Sequence, residues 1–180
     1  MRHSLLRSAT LALLAVAPLA PAPLVGLGAA ELVPGLVGEY FTITDPAKFP
    51  TIAAGTKPAF VRVDPRVTFD EVTEGTFYGT KLITNFYARW TGVLKTTTAG
   101  VHEFAVNSDD GSRLTIDGKV VVENGGVHAM TRKAGQVELT AGEHQILIEF
   151  VQGGGGAGIV TWWTQPGGRE NILAAGSLFH

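Results

Sequence analysis

Apolar positions along this chain alternate with polar ones instead of recurring every three or four residues. From Asn85 to Leu94, Phe86, Ala88, Trp90 and Gly92 interleave with Tyr87, Arg89, Thr91 and Val93, the period of a β-strand. Large side chains fall in both sets, which predicts a strand covered on both faces. Gln145–Val151 is the most strongly β-forming run. Shorter runs predict strands at Val37–Thr44, Val101–Val106, Gln136–Leu139 and Ile159–Thr164. Leu114 and Ile116 alternate with Thr115 and Asp117, and Val120 and Val122 resume one face beyond Asp117-Gly118. That dipeptide predicts a type I′ hairpin, whose two central residues need positive φ. Pro46 and Pro50 predict loop over 45–60, and Val67, Phe69 and Val72 among glycines predict short strands between Asp64 and Thr80. No helix of more than one or two turns is predicted outside the first thirty residues. The fold class is therefore all-β, an antiparallel β-sandwich or barrel. Trp90, Phe104, Leu114, Ile116, Ile146 and Ile148 are expected in one core.

The first thirty residues follow a different pattern. Arg2 and Arg7 precede an apolar run, Ala9–Ala17, and Gly28-Ala29-Ala30 offers small residues before Glu31. This is the layout of a cleaved secretory signal peptide. Pro18, Pro21 and Pro23 interrupt the run before it reaches the ~20 residues of a spanning helix. Residues 1–30 are thus expected to be a signal peptide and 31–180 one domain, secreted or held in the cell envelope, periplasmic or extracellular. No membrane span is expected after cleavage. The chain has no cysteine, which excludes a lipoprotein anchor, a disulfide framework, thiolate catalysis and Cys-ligated zinc. Without residues 1–30 the balance is 12 Lys plus Arg against 16 Asp plus Glu, a net charge of −4. That balance argues against nucleic acid or anionic membrane as the main partner.

Few residues suggest chemistry. Gly153, Gly155 and Gly158 satisfy G-x-G-x-x-G, but a dinucleotide site needs that motif between a strand and a helix, and here a strand follows. The histidines lack metal-ligand spacing, and no G-x-S-x-G elbow marks a nucleophilic serine. No enzymatic activity is expected. Trp162 and Trp163 are adjacent on one strand and point to opposite faces, so at most one is exposed. Asp109 and Asp110 stand out, two adjacent carboxylates at the mouth of the hairpin. Like charges so placed repel unless water, a cation or strong donors neutralise them. A capped turn with one solvated Asp is one account of the pair. The other is a hard-cation site, which needs 6–8 oxygens for Ca²⁺ and so further carbonyls and waters. The Gly153–Gly158 loop and the Gln152 side chain could supply oxygens.

The segment Ser108–Asn124 resembles the signature hairpin of the protective-antigen fourteen (PA-fourteen) family and the related yeast flocculin and adhesin lectin domains. Gly35-Leu-Val-Gly-Glu-Tyr-Phe41, Arg89-Trp-Thr-Gly92, Ala141-Gly-Glu-His144, Gly153-Gly-Gly-Gly-Ala-Gly158 and the tail from Pro166-Gly167 to Leu178 match in order. Together they span roughly Gly35 to His180. The resemblance implies a PA-fourteen β-sandwich or barrel, an exported lectin-like carbohydrate-binding module whose partner is a glycan or polysaccharide. It also implies that Asp109 and Asp110 are joined by a cis peptide and hold Ca²⁺, which binds sugar hydroxyls. Gln152, Gly154 and Asn124 are expected as further site residues from their loop positions. The specificity loops of the lectins carry side chains where this chain has mainly glycine. The alternative is a non-catalytic protein-interaction or cell-envelope assembly module of the same fold with no functional sugar site.

Overall fold

A computed structural model describes residues 31–180; the expected signal peptide lies outside the described residues. Leu32–His180 forms one unit with its own core. Its strands are β1 (Leu36–Thr42), β2 (Phe60–Asp64), β3 (Thr68–Val72), β4 (Phe86–Thr96), β5 (Gly100–Asp109) and β6 (Ser112–Ile116). They continue with β7 (Lys119–Asn124), β8 (Thr131–Leu139), β9 (Gly142–Gln152), β10 (Ala157–Thr164), β11 (Asn171–Ile172) and β12 (Leu178–Phe179). Among the described residues the only helical segment is a 3₁₀ turn at Ala175–Ser177.

The strands make two antiparallel sheets. The larger runs β2-β1-β4-β9-β6-β7 with β12 also on β4; the smaller runs β11-β10-β5-β8 with β3 also on β10. Its architecture is thus a sandwich, two apolar faces closing on one core. Its centre is β4 against β9, paired without interruption from Phe86 with Gln152 to Thr96 with Gly142. Trp90 is fully buried there, its ring 5.6 Å from Tyr40 and 5.8 Å from Phe69. Phe104, Leu114, Ile116, Ile146 and Ile148 share that core, as the alternation predicts.

Two elements differ from the sequence pattern. β8 begins at Thr131, five residues before the predicted Gln136. It is the outer strand of the smaller sheet, and only Val137 and Leu139 are buried. An edge strand exposed along most of its length carries little alternation. β2 is not announced by the pattern at all. It flanks β1 at the edge of the larger sheet, with Val61 and Val63 on the solvent side.

The outward face of the larger sheet carries a row of alternating charge. Register sets Glu39 beside Arg89, Arg89 beside Glu149, and Glu149 beside Arg113. Arg89 Nε donates to Glu39 at 2.7 Å and Arg113 Nε to Glu149 at 2.7 Å. On one side of this row Phe41, Tyr87 and Val151 form a small second core, capped by Ile43, Phe49 and Ile52. That contact fixes the 43–52 loop, which walls the cavity beside the site described next. The predicted I′ turn is present, with Asp117 at φ 48° and Gly118 at φ 77°.

Candidate functional site

β5 delivers the aspartates. His102, Phe104, Val106 and Ser108 point into the sandwich, so Asp109 falls on the outward face of the smaller sheet. The chain then crosses to the larger sheet, and Asp110 and Gly111 make the crossing. The Asp109–Asp110 peptide bond is cis, as the resemblance implies. Gly111 has no room for a side chain: a Cβ would lie 2.7 Å from the Gly126 carbonyl oxygen and 2.9 Å from Val151. The loop after β7 is thereby packed directly against the aspartates.

The two carboxylates, both buried, have opposite surroundings. Asp110 is held by backbone donors: His128 N–H reaches Oδ1 at 2.9 Å and Gly153 N–H reaches Oδ2 at 2.8 Å. Its own N–H donates to Gln152 Oε1 at 3.1 Å, and Gln152 Nε2 donates to the Gly156 carbonyl at 2.8 Å. Gln152, fully buried, therefore links the aspartate backbone to the glycine loop. Asp109 accepts no hydrogen bond from the described residues, although it is only 8% exposed. Burial, the Asp110 charge and then the Glu71 charge push its carboxyl above the usual carboxylate range, with His128 opposing them. Each Asp110 oxygen keeps a lone pair beyond the one its donor takes, and both Asp109 oxygens are uncommitted.

The remaining expected residues are placed unequally. Asn124 is buried beneath the pair and acts through its amide nitrogen, which donates to Ser108 Oγ at 3.1 Å and to the Thr131 carbonyl at 2.9 Å. Gly153 and Gly156 are the loop glycines tied to the aspartates, directly and through Gln152. Gly154 makes neither contact and borders open space, its nearest neighbour for a Cβ being Thr84 at 3.8 Å. Glu71 and His128 are the residues sequence reasoning misses. Glu71 arrives because β3 pairs with β10, and its side chain lies across Gly156. His128 acts through backbone N–H, which no residue type advertises. A shallow cavity of about 630 Å³ adjoins the site through Asn124 and His128; Lys48, Phe49, Glu123 and Lys133 are among its other walls, and neither aspartate lines it.

The uncommitted side-chain ligand atoms here are the carboxylate oxygens of Asp109 and Asp110, which suit a hard cation such as Ca²⁺ better than zinc. Among the described residues no three His, Asp or Glu side chains are grouped to hold a metal. Two carboxylates must then be supplemented by carbonyls and water.

The model of the PA14 domain, the PA-fourteen family of the resemblance, matches residues 32–176. The chain belongs to the PA14 family. The Anti-sigma-I factor RsgI3 of Acetivibrio thermocellus is 29% identical to this PA14 chain over 146 residues, 81% of the chain and 21% of that protein. A solved anti-sigma factor domain-containing protein superposes with TM-score 0.69 at 26% identity, over 81% of this chain and 47% of that one. The chain thus spans about a fifth and about half of these two relatives. The solved PA14 sugar-binding domain from an RTX adhesin superposes with TM-score 0.67 at 22% identity, over 82% of this chain and 99% of that one. At that identity the likeness is one of fold. No helix among the described residues is long and apolar enough to cross a membrane.

Proposed function

We propose that this PA14 domain is an exported, non-catalytic carbohydrate-binding module whose glycan contacts a Ca²⁺ ion held by Asp109 and Asp110. The observation that carries the reading is the Asp109 carboxylate, buried beside a second carboxylate with no protein donor to neutralise it. A cation there would offset the repulsion that burial intensifies. Asp109 and Asp110 would hold the ion, with the free lone pairs on both. When bound, Ca²⁺ supplies open coordination positions for paired sugar hydroxyls. Gln152 and the Gly153 N–H keep the glycine loop at a fixed distance from the carboxylates. Gly154, bare and open, lines the approach and leaves room for a sugar ring. The name of the solved RTX-adhesin domain, a sugar-binding PA14 domain, supports the same reading.

Two carboxylates are a modest charge, so Ca²⁺ affinity is expected at the weak extracellular end, ~10⁻⁴–10⁻³ M. A glycan array probed with and without chelator tests the proposal. Chelator-sensitive binding to a subset of glycans is expected; binding to none, or binding indifferent to chelator, overturns it. The relatives named for anti-sigma factors favour a second reading, a module that binds a protein partner. On that reading the array stays blank.

A further inference from the structure

A third acid reaches the aspartates from a distant part of the chain. β3 pairs with β10 through Phe69 with Ile159 and Val72 with Ala157. Between those pairs a single residue of β10, Gly158, faces two of β3, Asp70 and Glu71, which is a β-bulge. Gly158 is also the register partner of Asp109 on β5. Ala157 and Ile159 point into the core, so Gly158 turns its bare side to the outward face, as Asp109 does. A Cβ on Gly158 would lie 2.8 Å from Glu71 Cα and 2.8 Å from Met130 Cε. The bulge thus folds β3 over Gly158 toward Asp109, and Gly158 is buried although it faces outward.

The Glu71 head lies against the loop that the aspartates hold. Its Oε1 occupies the space a Gly156 side chain would take. The Gly156 carbonyl is bound by Gln152, whose Oε1 accepts the Asp110 N–H. The two acids of the bulge differ: the Glu71 charge acts on Asp109, and the Asp70 charge is not among those that do. Glu71 is exposed, and no hydrogen bond or ion pair from the described residues engages its carboxylate. Nor is it grouped with Asp109 and Asp110 closely enough to make a three-acid metal cluster. A carboxylate at that remove does not ligate an ion held by the pair. It accepts a hydrogen bond from what the ion holds, across one bridging water or hydroxyl.

We infer, resting on the cation reading proposed above, that Glu71 is a specificity-determining residue of the aspartate site: it accepts a hydrogen bond from a hydroxyl of the Ca²⁺-bound sugar and repels sugars that present a carboxylate or sulfate there. A sugar hydroxyl has a proton to give, and a hydrogen bond to an ionised acceptor is about twice as strong as a neutral one. A carboxylate or sulfate has none to give. The balance of charge points the same way. Asp109, Asp110 and Glu71 together outweigh the two charges of Ca²⁺ and leave the occupied site net negative, whereas the aspartates alone would leave it neutral. An anionic sugar therefore meets like charge, and like-charge contacts are what exclude wrong partners. Because Glu71 is exposed, its pull on the ion is weakened by solvent and salt.

The test compares the parent with Glu71→Gln, which keeps the side chain's length and removes its charge, and with Asp70→Asn, which removes a charge from the same bulge. Melting in chelator should be alike in all three, since neither substitution breaks a side-chain hydrogen bond. Each protein is then melted in rising Ca²⁺ alone, and applied in 10 mM Ca²⁺ to a glycan array that sets neutral glycans beside uronate-bearing and sulfated ones. The Ca²⁺ needed for half the melting shift should rise roughly threefold in Glu71→Gln and stay at the parent's value in Asp70→Asn. On the array the parent should bind neutral glycans alone. Glu71→Gln should bind those at least threefold more weakly and gain signal on the acidic ones, while Asp70→Asn keeps the parent's profile. A parent that binds acidic glycans as well as neutral ones overturns the role of Glu71, and so does an Asp70→Asn profile that matches Glu71→Gln. A parent that gains stability with Ca²⁺ while Glu71→Gln keeps the parent's glycan profile overturns that role alone. A parent whose melting ignores Ca²⁺, or that binds no glycan, overturns the reading of the aspartate site and the role of Glu71 with it.

Discussion

Two buried aspartates in this domain have opposite fates. Asp64, 6% exposed, accepts from Tyr40 Oη at 3.0 Å and Trp90 Nε1 at 2.8 Å, and the Arg62 guanidinium supplies its counter-charge, with Nε 2.7 Å away. Arg62 in turn lies among the rings of Tyr40, Phe60 and Phe69. Asp109, 8% exposed, accepts no hydrogen bond; its charged neighbours are Asp110 and Glu71, with His128 only partly opposing them. Equal burial therefore means different things. A carboxylate with two donors and a counter-charge drawn from three elements of the fold is framework, and its charge is neutralised before any ligand arrives. A carboxylate left beside other carboxylates is a cost the fold carries unless something outside the chain neutralises it.

The largest expected effect comes from breaking the framework side. Asp64→Ala strips Tyr40 and Trp90 of their shared acceptor and leaves the largely buried Arg62 guanidinium without its counter-charge. Chemical denaturation should show a loss of ~3–5 kcal/mol, independent of Ca²⁺. A loss under about 1 kcal/mol would place Asp64 with the weak surface pairs. Asp110→Asn comes next. Both Asp110 oxygens accept backbone N–H groups, and an amide nitrogen cannot accept, so one donor is orphaned at ~1–3 kcal/mol. Asp110→Asn is thus destabilised even in chelator, which makes it a poor probe of the cation alone. Asp109→Asn breaks no hydrogen bond and removes a repelled charge. Its stability in chelator should equal or exceed the parent's by up to about 1 kcal/mol.

The smallest effect is one of pH. His144 is buried, its Nδ1 2.7 Å from Asp117 Oδ2 and its Nε2 3.0 Å from the Thr140 carbonyl. Burial works against the imidazolium, but the Asp117 and Thr140 hydrogen bonds outweigh it and raise the histidine above its ordinary value. A raised pKa means stability fully present below the unfolded value of about 6.5 and lost as pH rises through the folded one. With Asp117 half exposed, the loss should stay under about 1 kcal/mol. Melting curves at pH 5.5 and 8.5 for the parent and Asp117→Asn check it; a difference equal in both proteins contradicts the assignment.

Much of the framework side is legible in the sequence because strand periodicity is local. Trp90 reads as core from its own strand, and the Asp117-Gly118 turn from its dipeptide. Asp64 does not, because its partners lie on β1, β2 and β4 and meet only through register. The site side divides in the same way. Asp109 and Asp110 are visible as adjacent acids. Their difference is not, since it depends on the backbone of His128 and Gly153 and on a strand, β3, that brings Glu71 across from 38 residues earlier in the chain.

The direct test of that difference is thermal melting of the parent and Asp109→Asn in chelator and in rising Ca²⁺. If Asp109 is the uncompensated charge of a cation site, the parent gains stability with Ca²⁺, by ~2.7 kcal/mol at a hundredfold excess over the dissociation constant, and Asp109→Asn gains none. A parent indifferent to 10 mM Ca²⁺, or a variant that responds as the parent does, contradicts the account.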